Sequence, residues 1–399
     1  MRSIPQVFLL FLICLLTWAS RASAQTPIAP VDLGTLGGSN SRATAVNDAG
    51  QVVGQSQLAG DAVTRPFSWT PAGGMVDLGT LGGAFGRAEA VNANGQVVGW
   101  SQLPGGGITH AFSWTQDGGM VDLGTLPGYS HSQAVALNDA GQVVGTSYRF
   151  FPDDSSHAFL WTAAGGMMDL GTLGGSSSRA TAINAHGQVV GWSTTASGGW
   201  HAFSWTAAGG MVDLGPTVTN AVAVNDSGQV VGLGETPGGE HAFSWTAAGG
   251  MVDLGTLGGS STFFDEMLAS TRGVINSSGQ VVGTSGLAGG GFHPFLWTSA
   301  GGMVDLGTLR GSTYSVAIAV SDAGQVVGNA SLSGPWVPFS WTPANGLIEL
   351  GGLGAGGVAT ALNEHGQVVG YGQFPDVGPG MPGPAHAVVW YTAGPPPPP

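Results

Sequence analysis

The side chains best suited to chemistry fall into a periodic group and a non-periodic one, and the two imply different work. Histidines stand at His110, His157, His201, His241, His293 and His386, and imidazole serves both as a metal ligand and as a general base. An acid is equally regular, the Asp of Asp-Leu-Gly at Asp32, Asp77, Asp122, Asp169, Asp213, Asp253 and Asp305, with Glu349 in the eighth copy. The non-periodic acids Asp153, Asp154, Glu235, Glu240, Asp265 and Glu266 are better catalytic candidates. Adjacent carboxylates on a strand point to opposite faces, so neither doublet is a ready acid/base pair, and a partner across the fold is required, as in glycosidases. Arg42, Arg87 and Arg179 share one repeat position, and guanidinium forks suit carboxylates or phosphates. Trp100, Trp192 and Tyr371 each follow the same pentapeptide, while Phe85, Tyr129, Trp200, Phe263, Phe264, Tyr314 and Trp336 lie in connections. Aromatic platforms of this kind suit sugars, peptides or partner proteins. No calcium-loop spacing, H-E-x-x-H, G-x-S-x-G or phosphate-binding glycine loop is present in the sequence.

What positions these residues is a repeat. Gly-Gln-Val-Val-Gly at 50–54 returns at 95–99, 141–145, 187–191, 228–232, 279–283, 324–328 and 366–370, at spacings of 45, 46, 46, 41, 51, 45 and 42 residues. A period in this range denotes an array of supersecondary units. In the type unit, 179–184 reads as a first strand, 188–192 as a second, 201–206 as a third and 211–215 as a fourth. Between the first two, Asn184 opens a type I turn with its side chain and Gly187 takes the left-handed position. Opposing Trp205 to Val212 and Phe203 to Leu214 puts the apolar residues of the last two strands on one face, with Ser204 and Asp213 on the other.

Four short antiparallel strands in about 45 residues make a propeller blade. The expected fold is all-β, a single β-propeller of eight four-stranded blades over 25–392. The chain starts with a lone outer strand at 31–34 and ends with a third strand at 387–390. Pairing the N-terminal outer strand with the C-terminal blade closes the ring and removes free edges. A parallel β-solenoid is the main alternative, and seven blades with an unpaired remnant the fallback. In a ring the periodic histidines stand too far apart to share a metal, so they read as blade contacts, and the periodic acids as strand or turn hydrogen bonds.

His-Ala-Phe at 110–112, 157–159, 201–203 and 241–243, with Asp-Leu-Gly-Thr-Leu and Asn-x-x-Gly-Gln-Val-Val-Gly, resembles the HAF family of extracellular bacterial repeats over essentially all of 31–390. The resemblance implies secretion and a β-propeller-like array, and brings no catalytic residues with it. Arg65-Pro66-Phe67 and Val337-Pro338-Phe339 depart from His-Ala-Phe, and Pro216 interrupts Gly-Thr-Leu.

Residues 1–24 read as a signal peptide cleaved after Ala24: Arg2, an apolar run from Val7 to Trp18 too short to span a bilayer, and Ala22-Ser23-Ala24. Residues 393–399 form a proline-rich tail. Cys14, the sole cysteine, lies in the leader, so the mature chain has no thiol chemistry. There is no lysine, and the mature chain carries seven Arg against 23 acids. Nucleic acid is thereby disfavoured as a partner, and no membrane span is expected.

The copies differ in a patterned way. The connections after the first and third strands hardly change, whereas those after the second and fourth vary in length and composition. The variable connections share one rim of the ring, and loops on a rigid scaffold are where binding concentrates. The candidate ligand-binding set is therefore Arg42, Arg87, Arg179, Trp100, Trp192, Tyr371, Phe85, Tyr129, Trp200, Phe263 and Trp336, with no catalytic residue, metal ligand or cofactor. Three Arg at one mouth suggest an anionic group, such as a uronic acid or a carboxylate, and internal pairing with Glu89 is the competing role. The expected function is a secreted, monomeric, non-catalytic scaffold for an extracellular glycan or protein ligand. A propeller-type polysaccharide hydrolase or lyase and a structural surface or matrix protein are the alternatives.

Overall fold

The structure, a computed structural model, describes residues 26–150, 154–264, 273–332, 334–378 and 381–394. The expected leader, Asp153, Asp265, Glu266 and the proline tail from 395 onward lie outside the described residues. The described chain forms a β-propeller. Its strands fall into blades 1 (37–77), 2 (86–124), 3 (131–169), 4 (174–213), 5 (218–253), 6 (258–305), 7 (315–349) and 8 (357–391). Blades 3 and 4 run into one sheet through a single parallel contact, Ser156 with Ser177. The fourth strand of blade 8 is the N-terminal Val31–Asp32, which pairs antiparallel with Ala385–Tyr391 through Val31 opposite Val389.

Blade 4 shows how the repeat makes these strands: Gly174–Ile183, Val189–Thr195, Trp200–Thr206 and Gly210–Asp213. At the first turn, Asn184 Oδ1 accepts the backbone N–H groups of His186 and Gln188 at 3.1 and 2.9 Å. The closing glycine of Gly-Gln-Val-Val-Gly has a steric cause. A Cβ on Gly191 would lie 1.9 Å from the Arg179 carbonyl oxygen, beside a bulge where Thr181 is passed over between Ala180 and Ala182. The bulged threonine reaches out of its own blade, its Oγ1 donating to the Ala221 carbonyl of blade 5 at 2.8 Å.

The pairing of third and fourth strands differs by one residue from the expectation. Trp205 lies opposite Met211, Ser204 opposite Val212 and Phe203 opposite Asp213. The loop is three residues long, because Gly210 adopts φ +65° and pairs with Thr206 instead of belonging to the turn. This leaves Val212 exposed but places Asp213 where His201 Nδ1 (2.8 Å) and the Gly215 N–H (2.8 Å) both meet its carboxylate. The same His–Asp clasp, at 2.8–3.0 Å, pins the outer strand in blades 2, 3, 5 and 6 and joins His386 to Asp32 in blade 8. Where the histidine is missing an arginine takes the acid: Arg65 with Asp77 in blade 1 and Arg310 with Glu349 in blade 7.

The core lies between blades. Phe67, Phe112, Phe159, Phe203, Phe243, Phe295 and Phe339, one in each third strand of blades 1 to 7, are fully buried, and Val388 takes the place in blade 8. Toward the axis the seams are polar. Asn47 Nδ2 donates to the Asn92 carbonyl, Asn92 to Asn138, Asn138 to Asn184, Asn184 to Asn225, Asn225 to Asn276, Asn276 to Ser321 and Asn363 to Asn47, at 2.9–3.1 Å. The last of these joins blade 8 to blade 1.

Candidate functional site

The variable rim begins at the first-strand position of the three arginines, and the structure gives each a different neighbourhood. Arg87 Nε lies 3.3 Å from Glu89 Oε1, and that same oxygen accepts Trp100 Nε1–H at 3.2 Å, so Arg87 and Trp100 are tied together inside blade 2. Internal pairing is the outcome there. Arg179 is exposed and sits opposite Trp192 in the strand register. Trp192 in turn packs on Trp200, ring centroids 4.4 Å apart. Arg42 is exposed, and its guanidinium lies 4.5 Å above the ring of Tyr371, a residue of blade 8. The three arginines thus have different neighbours: Glu89 and Trp100 for Arg87, Trp192 for Arg179 and Tyr371 for Arg42.

The other predicted aromatics divide likewise. Phe263 of blade 6 joins Phe292, Tyr314 and Trp336 in a row with successive centroids 5.4, 5.5 and 5.8 Å apart. Tyr129 packs on His157 at 5.4 Å, and burial pushes its hydroxyl pKa up. Phe85 is exposed at the edge of blade 2. Sequence reasoning missed a stack on blade 3, where His131 lies against Tyr148 and Phe150, each at 5.0 Å. His131 Nδ1 accepts the Thr109 N–H at 3.2 Å, and burial, then the nearby His110, hold its pKa below the ordinary 6.5. It also missed that Glu235 and Glu240 oppose each other across the blade 5 hairpin, both exposed.

One arginine stands in a cleft. Between blades 8 and 1 a space of about 680 Å³ is lined by Arg42, Asp61, Tyr371 and Gln373, with Val377 and the segment Pro382 to Ala385 as a further wall. Its frame is fixed from both blades. Asn40 Oδ1 accepts the Ala385 N–H at 2.9 Å, and Ser41 Oγ accepts the Ala387 N–H at 2.8 Å. Asp61 is held by Ser39, whose N–H and Oγ–H donate to its two carboxylate oxygens at 2.6 Å each, and this holds its pKa below the usual aspartate value. Among the described residues the Arg42 guanidinium makes no ion pair, and none joins it to Asp61 across the cleft.

The uniform rim carries the opposite chemistry. The turns after the first strands surround an axial cavity of about 370 Å³, lined by Asp48, Asp139, Asp226 and Glu364 together with the asparagine ladder. These acids are engaged with the neighbouring blades. Asp139 accepts the Ala93 N–H, Asp226 that of Ala185, Asp48 that of Glu364, and Glu364 that of Asp322, at 2.7–2.9 Å. Burial, and to a lesser extent the charges of Asp322 and Asp48, raise the Glu364 pKa above the ordinary 4.5 despite the hydrogen bond from Asp322. Among the described residues no cluster of three or more His, Cys, Asp or Glu forms a metal site, and no helix is long and apolar enough to cross a membrane.

No family model matches this chain, and no curated protein matches it in sequence. It is similar in structure to a puromycin-hydrolyzing peptidase of Mycobacterium tuberculosis, at 14% identity and TM-score 0.50, over 88% of this chain and 62% of that one. It is also similar to dipeptidyl peptidase 4 of Porphyromonas gingivalis, at 9% identity and TM-score 0.50, over 82% of this chain and 57% of that one. The chain thus spans about three fifths of the length of these peptidases, and the likeness is one of fold. It nevertheless overturns the expectation of a non-catalytic binding scaffold. A propeller of this form is carried by peptidases, so uniform blades with a diverse rim do not argue for binding without chemistry.

Proposed function

We propose that this chain serves peptide hydrolysis, as a propeller that takes up peptide substrate at its variable rim. The observation that carries the reading is the cleft between blades 8 and 1. An ionised guanidinium rests there on an aromatic face, with no ion pair among the described residues, in a space framed by fixed main chain. Such a group receives a carboxylate by paired hydrogen bonds, and Tyr371 beneath it adds a flat apolar surface. The peptidases of similar fold support peptide as the substrate class. The same reading takes the chain as exported, supported by Arg2, the apolar run and Ala22-Ser23-Ala24, and as a HAF-type repeat chain, supported by the recurring His-Ala-Phe and Asp-Leu-Gly-Thr-Leu. The test incubates the chain with a defined mixture of short peptides and follows both retention on the protein and cleavage by mass spectrometry. Selective retention or cleavage, diminished by Arg42→Gln, is the expected result. A mixture that emerges intact and unretained overturns the proposal.

A further inference from the structure

The cleft between blades 8 and 1 holds one positive and one negative group, neither of which neutralises the other. Arg42 touches Tyr371 and makes no ion pair among the described residues. Asp61 faces the same space from the connection after the second strand of blade 1, anchored by Ser39. Its backbone has φ +60°, in the left-handed region, one of two non-glycine residues so placed among the described residues. The connection therefore holds this carboxylate in a defined place. Opposite charges that share a cleft without pairing leave room for a ligand that bridges them. The rest of the molecule narrows the choice. With 23 acids and few arginines, the chain repels a purely anionic ligand at long range, whereas a ligand with an ammonium as well as a carboxylate meets no such penalty.

Resting on the peptide reading above, we infer that this cleft recognises short peptides by both free ends at once, the α-carboxylate on Arg42 and the α-ammonium on Asp61. The two ends fix the length of chain admitted, so the site selects short zwitterionic peptides over the interior of a long chain. Tyr371, Val377, Pro382 and Pro384 offer apolar wall to the side chains between the ends. A guanidinium does not titrate in the neutral range, and the Ser39 hydrogen bonds hold the Asp61 pKa below the usual aspartate value, so the protein's half of the recognition is constant across neutral pH.

Calorimetric titration of the full chain tests this with Ala-Phe-Ala, its C-terminal amide and its N-acetyl form. The free tripeptide is expected to bind, and each blocked form to bind at least about tenfold more weakly, because each loses a charge-assisted contact. Arg42→Gln should abolish the preference for the free acid over the amide while leaving the preference for the free amine. Asp61→Asn should do the converse. The three ligands on the parent protein need no substitution, so the result does not hinge on how a variant folds. Equal binding of free, amidated and acetylated tripeptides by the parent overturns the two-ended recognition while leaving peptide uptake standing. No binding of any of the three, together with an unretained peptide mixture, overturns both.

Discussion

The two rims of this propeller obey opposite rules. On the uniform rim the connection after the first strand is part of a seam, since Asn184 closes its own turn through Oδ1 and grips blade 5 through Nδ2, while the connection after the third strand is closed within itself, the Gly209 N–H donating to Thr206 Oγ1. Inserting a residue in the first of these would break hydrogen bonds in two blades, so that turn keeps one length. On the variable rim the seams are sewn within the strands, by hydroxyls such as Ser41, Ser132 and Ser178, each accepting a backbone N–H from the preceding blade at 2.8–2.9 Å. Beyond those hydroxyls the connections join the preceding blade differently from copy to copy, as where the Thr64 N–H donates to the Ala84 carbonyl and the Phe292 N–H to that of Thr313, and their lengths vary. The contrast teaches that a connection keeps one length where its side chains close a turn or a seam, and that charge left without an ion pair on the other rim, as on Arg42 among the described residues, is available to a ligand.

The largest effect should come from the core shared by both rims. Phe203→Ala empties a fully buried site between blades and is expected to cost about 3–5 kcal/mol in denaturant unfolding; an unchanged midpoint would break the picture of seams packed by the third strands. Next comes the uniform rim. Asn184→Ala strands the N–H groups of His186 and Gln188 and removes one of the two donors on the Asn225 carbonyl, which keeps the Gly228 N–H, at roughly 1–3 kcal/mol for a buried group left unsatisfied. Thr194→Ala on the variable rim should cost much less, although its Oγ1 accepts the Ser177 N–H at 2.9 Å, because its residue is only part-buried. Equal losses at both positions would erase the contrast between rims.

The smallest expected effect is a pH dependence. The folded-state pKa of Glu364 is raised, so its contribution to stability is fully present below the ordinary 4.5 and is lost as pH rises through the folded value. Glu364→Gln keeps an acceptor for the Asp322 N–H and removes the charge. Its melting temperature should exceed the parent's at neutral pH and converge with it near pH 4, as melts across that range will show. A variant that is less stable at pH 7 would mean that the carboxylate charge helps the seam.

Much of the ring was legible in the sequence, for local reasons. The Asn-x-x-Gly turns announce themselves through side-chain chemistry confined to five residues, and the alternating apolar strands follow from period two. The register of the outer hairpin was not legible, because Gly210 can belong either to the loop or to the strand, and only the His201–Asp213 clasp and φ +65° decide it. Seam partners lie a whole repeat away in sequence, 41 residues for Asn184 and Asn225 and 51 for Asn225 and Asn276, so the asparagines read as turn formers alone. The candidate site was legible only in part. Arg42 and Tyr371 were both singled out, but nothing local pairs a residue of the first blade with one of the last. Asp61 passed unnoticed because its fixation depends on Ser39, 22 residues earlier in the chain.

Hydrogen–deuterium exchange in the presence and absence of the short-peptide mixture tests the central claim most directly, since it reads both rims in one measurement. The account predicts slowed exchange on peptide addition at residues 39–42 and 371–385 around the Arg42 cleft, with the asparagine turns of the uniform rim unchanged. Protection confined to the turns at 47–50, 92–95 and 138–141, or no protection anywhere, would contradict it.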